Sequence, residues 1–140
     1  MTNTSPSVPA PQDASLPGLG SVGVWRSGTS TSLEPALAGV VGRLGYGTLW
    51  IGGSPRADLA IAEALLDASD TLVVSTGIVN IWTAPAEEVA ASFHRIERTH
   101  PGRFVLGIGI GHREAIGDRF EKPYAALVSY LDALDAHGVP

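Results

Sequence analysis

Four times along this chain a short apolar run of strand character gives way to apolar residues at helical spacing, an alternation that confines the fold more than any motif does. The first run is SVGVW at 21–25. After a polar loop, Ser32 is placed to cap a helix whose first turn admits Pro35. Leu33, Leu37, Val40, Val41 and Leu44 fall on one face of it, and Gly45 is placed to end it in a left-handed conformation. TLWIGG at 48–53 is the second strand; Asp58 then opens a helix carrying Leu59, Ala62 and Leu66. TLVVSTGIV at 71–79 is the third strand and the richest in β-branched residues. In the next helix Pro85 lies near the start, Glu87 and Glu88 follow, and Arg95 and Arg98 lie near the end, the order a helix dipole favours. RFVLGIGIG at 103–111 is the fourth strand. Pro123 begins a last helix with Tyr124, Leu127, Val128, Leu131 and Leu134 on its apolar positions, and Gly138 closes it.

Repeated strand–helix units imply parallel strands joined by right-handed crossovers. At about 27 residues per unit, eight units would take roughly 220 residues, the size of a (β/α)8 barrel. The chain shows four such units. The expected fold class is therefore α/β, a partial TIM (β/α)8 barrel of about four βα units over residues 19–140. A small open doubly wound sheet is the other arrangement open to such a pattern. Residues 1–18, MTNTSPSVPAPQDASLPG, read as a disordered leader lacking the basic and apolar regions of a secretory signal.

Nine Lys and Arg against fourteen Asp and Glu leave a net charge of −5, which disfavours a nucleic-acid surface. The absence of cysteine excludes disulfides, thiolate zinc sites and a cysteine nucleophile. No HExxH, no GxSxG and no His–carboxylate cluster at metal spacing occurs. No apolar run is long enough to span a membrane, and the expected compartment is the cytoplasm.

GLGSVG, from Gly18 to Gly23, matches a dinucleotide fingerprint in letters only, because it precedes a strand and no helix follows it. A second cluster says more. Gly107, Gly109 and Gly111 alternate with Leu106, Ile108 and Ile110, which puts the glycines on one face of a strand. Such a face admits either something flat or another stretch of backbone at close range.

The segment STGIVNIWTAPAEEVAASFHRIERTHPGRFVLGIGIGHRE, residues 75–114, resembles the luciferase-like monooxygenase family, most of all its coenzyme F420-dependent branch. VGVW on the first strand, RLGYGTLWIGG leading into the second and PGRFVLGIGIGH leading into the fourth extend the likeness to about residues 20–140. The resemblance implies the N-terminal half of a TIM barrel. It also implies a flat tricyclic cofactor, coenzyme F420 or alternatively FMN, at the C-terminal ends of the strands. The chemistry would be hydride transfer between that ring and an organic small-molecule substrate. By the same likeness a non-proline cis peptide would fall at Gly77–Ile78, in a bulge beneath the ring. Gly77, Ile78, Asn80, Gly109 and Gly111 would lie against the cofactor, and His112 is the best-placed catalytic group. The chain departs from the family in three ways. Gly52 and Gly53 stand where F420 enzymes often carry an acid or a histidine. His112, Arg113 and Glu114 stand where Asn or Glu is frequent. The later strands that build the family's phosphate site lie outside these residues.

Each candidate has a plainer role beside the functional one. Asn80 serves a ring edge or a turn, and Trp25 and Trp82 wall a pocket or pack in the core. His94 and His100, on or after the third helix, have solvated or helix-end roles away from the strand mouth, and His137 lies beside a helix C-terminus. A second function class also fits: a non-catalytic half-barrel acting only by association, since four strands leave two unpaired edges. A homo-oligomer is expected on that ground. An unrelated open α/β domain with some other ligand is the third possibility.

Overall fold

A computed structural model describes residues 18–28 and 33–140. The expected leader and Ser32 lie outside these residues, Gly18 excepted. The chain runs through β1 (Gly23–Ser27), α1 (Pro35–Arg43), β2 (Thr48–Gly52), α2 (Ala60–Asp67), β3 (Val73–Thr76) and β4 (Val79–Asn80). It continues through α3 (Ala86–Thr99), β5 (Phe104–Val105), β6 (Ile108–Gly109), α4 (Arg113–Ile116), a 3-10 turn (Gly117–Arg119) and α5 (Pro123–Ala136).

β1, β2, β3 and β5 form one sheet in that order, every pair parallel. An unreversed order sends each right-handed crossover the same way and leaves the helices on one face. That is the winding of a partial (β/α)8 barrel. It excludes the doubly wound alternative, which needs a reversal.

Between sheet and helices lies the core: Leu49, Ile51, Val74 and Phe104 meet Val41, Leu65, Leu66, Val89, Phe93 and Ile96, all buried. A fully buried Leu or Ile contributes about 1.5–3 kcal/mol, so this layer dominates stability. Both glycine stops form as expected. Gly45 and Gly138 have φ of 86° and 74°. Behind them the Tyr46 N–H reaches the Val41 carbonyl and the Val139 N–H reaches that of Leu134, at 3.3 and 3.1 Å, closing each helix in a Schellman motif.

The third and fourth strands differ from their expected form. Each is broken in two, β3 from β4 and β5 from β6, with β4 and β6 pairing separately. Ser75 pairs with Val105 and Val79 with Ile108, so four steps of one strand oppose three of the other. The extra residue makes a β-bulge at 76–78. The hydrogen bonds show how it is held. The Gly77 N–H stays in the β2 ladder on the Ile51 carbonyl at 2.7 Å. Across the bulge the Thr76 hydroxyl bonds both backbone groups of Gly107, and the Val79 N–H reaches the same Gly107 carbonyl at 2.6 Å. The bulge therefore stands where the family resemblance places it, but no cis peptide occurs among the described residues, which corrects the expectation at Gly77–Ile78.

Candidate cofactor site at the strand mouth

Parallel strands deliver their C-terminal ends to one side, and the residues that follow them form a rim. After β2, Gly53 has φ 75° and open space where a side chain would be. The loop then passes through Ser54, Arg56 and Asp58 into α2, entered by a buried Leu59 at φ 50°. That left-handed turn is locked from outside. The Arg95 guanidinium on α3 donates to the Asp58 carbonyl at 2.6 Å and to the Glu63 carboxylate at 3.1 Å. Two clefts flank the loop. One, of about 330 Å³, is bounded by Ser54, Arg56, Asp58, Thr83 and Glu88; the other, of about 380 Å³, is bounded by Gly28, Gly52, Ser54 and Ile61. Each is at the small end of ligand-site volumes, enough for part of a ligand.

Asn80, at the end of β4, is buried and used on both sides. Its N–H donates to Ser54 Oγ at 2.9 Å, and its Oδ1 accepts the Trp82 N–H at 2.9 Å. The turn role is thus filled. Ser54, missed by sequence reading, joins the β2 loop to β4 and lines both clefts. An isolated serine in a Gly–Ser–Pro loop carries no pattern that would single it out.

The glycine strip is occupied by neighbouring chain. A Cβ on Gly107 would lie 2.3 Å from the Thr76 carbonyl oxygen, one on Gly109 2.6 Å from Ile78 Cγ2, and one on Gly111 2.4 Å from Asn80 Nδ2. Of the two occupants open to such a face, close backbone and side-chain approach from the third strand is what occurs. Gly77 is exposed and Ile78 half-buried at the bulge. His112 is exposed and opens α4, its carbonyl accepting the N–H groups of Ala115 and Ile116.

The missing side chain at Gly52 also has a local cause. The ring of Trp25 lies across Gly52, so that a Cβ there would be 1.9 Å from Trp25 Cζ2. Trp25 is 62% exposed and lies outside the core. Trp82 is half-buried, with its indole N–H on the Ile110 carbonyl at 2.9 Å.

The remaining histidines serve helix ends. His94 Nε2 meets the His137 carbonyl at 2.8 Å, joining α3 to α5, and His100 Nε2 meets Asp67 Oδ1 at 2.9 Å, joining α3 to α2. Two perturbed groups lie outside the rim. Burial pushes the Tyr130 phenol up to about 12, and burial lowers Arg103, partly offset by Asp70. Among the described residues no cluster of His, Cys, Asp or Glu could hold a metal ion. No helix described is long and apolar enough to cross a membrane.

A parallel, singly wound α/β sheet with a bulged third strand and a polar rim at its C-terminal ends defines a barrel-type enzyme scaffold. The model of the luciferase-like monooxygenase family matches residues 24–137, and the chain belongs to that family. No curated protein matches it. Members of such a family use a flavin or deazaflavin, and the rim fits that group in part. The exposed guanidinium of Arg113 suits an anionic phosphate, that of Arg56 is already paired with the Asp58 carboxylate at 3.4 Å, and the bulge presents the Gly77 backbone. The filled strip at Gly107–Gly111 offers no hollow for the ring itself.

Proposed function

We propose that the chain is the N-terminal half of a luciferase-like oxidoreductase of the F420-dependent branch, working in the cytoplasm on an organic small molecule. Coenzyme F420, or FMN in its place, binds at the mouth and supplies hydride transfer. The observation that carries this reading is the bulge, which leaves Gly77 exposed beside the buried, doubly bonded Asn80. Gly77 and Ile78 offer backbone to one side of the ligand. Gly109 and Gly111 let the third strand lie close enough to hold Asn80 in place. His112 supplies an imidazole able to hydrogen-bond a ligand oxygen or move a proton. Fluorescence titration of the whole chain with F420 and with FMN tests the reading. Saturable binding of either supports it, and no response to both overturns it.

A second reading, association through the half-barrel's flanks, is favoured by the apolar residues left bare on the two end helices. Leu44 on the α1 side is 70% exposed and Tyr124 on α5 is 81% exposed, with Val128 and Leu131 continuing the α5 stripe. Light scattering decides it: a species twice the 14.5 kDa chain mass supports a homodimer, and a monomer at every concentration overturns it.

A further inference from the structure

Trp82 grips both ends of the segment that carries His112. Its indole N–H donates to the Ile110 carbonyl at 2.9 Å, two residues before the histidine. Its own carbonyl accepts Arg119 Nη1 at 3.3 Å, and its ring centre lies 5.8 Å from that of Phe120, tilted by 41°. Between these anchors the chain passes Gly111 at φ 62°, the single turn of α4 and Gly117 at φ 65°. Within 111–119 only Ile116 is buried. A stretch with one buried side chain has little of its own to hold it and opens readily unless clamped.

The clamp is itself fixed. Oδ1 of Asn80 holds the Trp82 N–H, and Ser54 holds Asn80. A line of hydrogen bonds therefore runs from the β2 loop, through the end of the third strand, to the segment beyond the fourth.

We propose that Trp82 is a positioning residue of the mouth. It holds the 110–120 segment so that His112 keeps a set relation to the Ser54–Asn80 pair, and a ligand reaching both meets a preorganised arrangement. This rests on the cofactor reading of the mouth. Packing alone would need the ring but neither of the two hydrogen bonds that bracket His112.

The test uses the whole chain and two variants. Trp82→Phe keeps the ring beside Phe120 and the carbonyl for Arg119 but removes the N–H donor; Trp82→Ala removes the ring as well. The first readout needs no ligand: native-state trypsin cleavage after Arg113 and Arg119. Loss of one hydrogen bond raises local opening about fivefold, so cleavage should rise about that much in Trp82→Phe and more in Trp82→Ala. The second readout is the F420 and FMN titration. Trp82→Phe and His112→Ala should each weaken binding about fivefold, and the double variant should weaken it no further than either alone. Unchanged cleavage in both Trp82 variants overturns the clamp. Additive losses in the double variant overturn the positioning role. If the unaltered chain binds neither cofactor, the cofactor reading and this role fall together, while the cleavage rates still report the clamp.

Discussion

The Thr76 hydroxyl satisfies both backbone groups of Gly107: its oxygen accepts the glycine N–H at 2.8 Å, and its proton goes to the glycine carbonyl at 3.0 Å. At that point the ladder between the third and fourth strands is interrupted, and one buried side chain replaces it. Thr76→Val keeps the shape and removes both bonds; the Gly107 carbonyl keeps the Val79 N–H at 2.6 Å, but the half-buried Gly107 N–H loses its partner. Urea unfolding should show a loss of about 2 kcal/mol, with Thr76→Ser losing clearly less because it keeps the hydroxyl.

Gly107 and Gly53 are both glycines of the mouth, yet a methyl group should act differently at each. On Gly107 it would press on the carbonyl oxygens of Thr76 and Gly77, 2.3 and 2.7 Å away, and backbone on both sides cannot yield. Gly107→Ala should therefore cost more than about 3 kcal/mol or prevent folding. Gly53→Ala meets open space and carries only the left-handed penalty at φ 75°, about 1 kcal/mol. Equal losses in thermal unfolding would refute this steric explanation.

Arg103 closes the end of α2. Its Nε and Nη2 donate to the Leu72 carbonyl at 3.1 and 2.9 Å, and Nη2 also reaches the Ser69 carbonyl. A lysine carries the charge without the planar fork. Arg103→Lys should lower stability by about 1–3 kcal/mol in chemical denaturation, since it strands carbonyl groups the fork now holds.

Tyr130 predicts an alkaline limit. Its phenol donates to the buried Ala84 carbonyl at 2.8 Å, and burial raises it from about 10 to about 12. The folded state thus holds the proton more tightly than the unfolded chain does. The stability this contributes is complete below pH about 10 and disappears as pH rises to about 12. Tyr130→Phe should flatten the fall in unfolding midpoint across that window, although it starts from a lower value at neutral pH.

Much of the architecture was legible because its causes are local. The two-residue and helical beats, Pro35 and Pro123 in first turns, and the stops at Gly45 and Gly138 each depend on neighbours within one or two turns of chain. The glycine alternation at 107–111 was legible as a face that something approaches closely. Its occupant was not, because Thr76, Ile78 and Asn80 reach it only after a register shift. The same holds for the mouth. His112 and Asn80 could be placed near strand ends from the pattern alone, but Ser54 and the grip of Trp82 on Ile110 and Arg119 could not.

The sequence by itself determined the succession of strands and helices, their stops, and the family, since these rest on residue type at short spacing. Tertiary structure decided the unreversed winding, the bulge, the glycine at 52 beneath the Trp25 ring, and the linked rim. These depend on pairs such as Thr76 with Gly107 and Trp82 with Arg119, 31 and 37 residues apart. A hydrogen bond over that separation exists only once the sheet has brought its ends together, and no local periodicity encodes which donor will meet which carbonyl there.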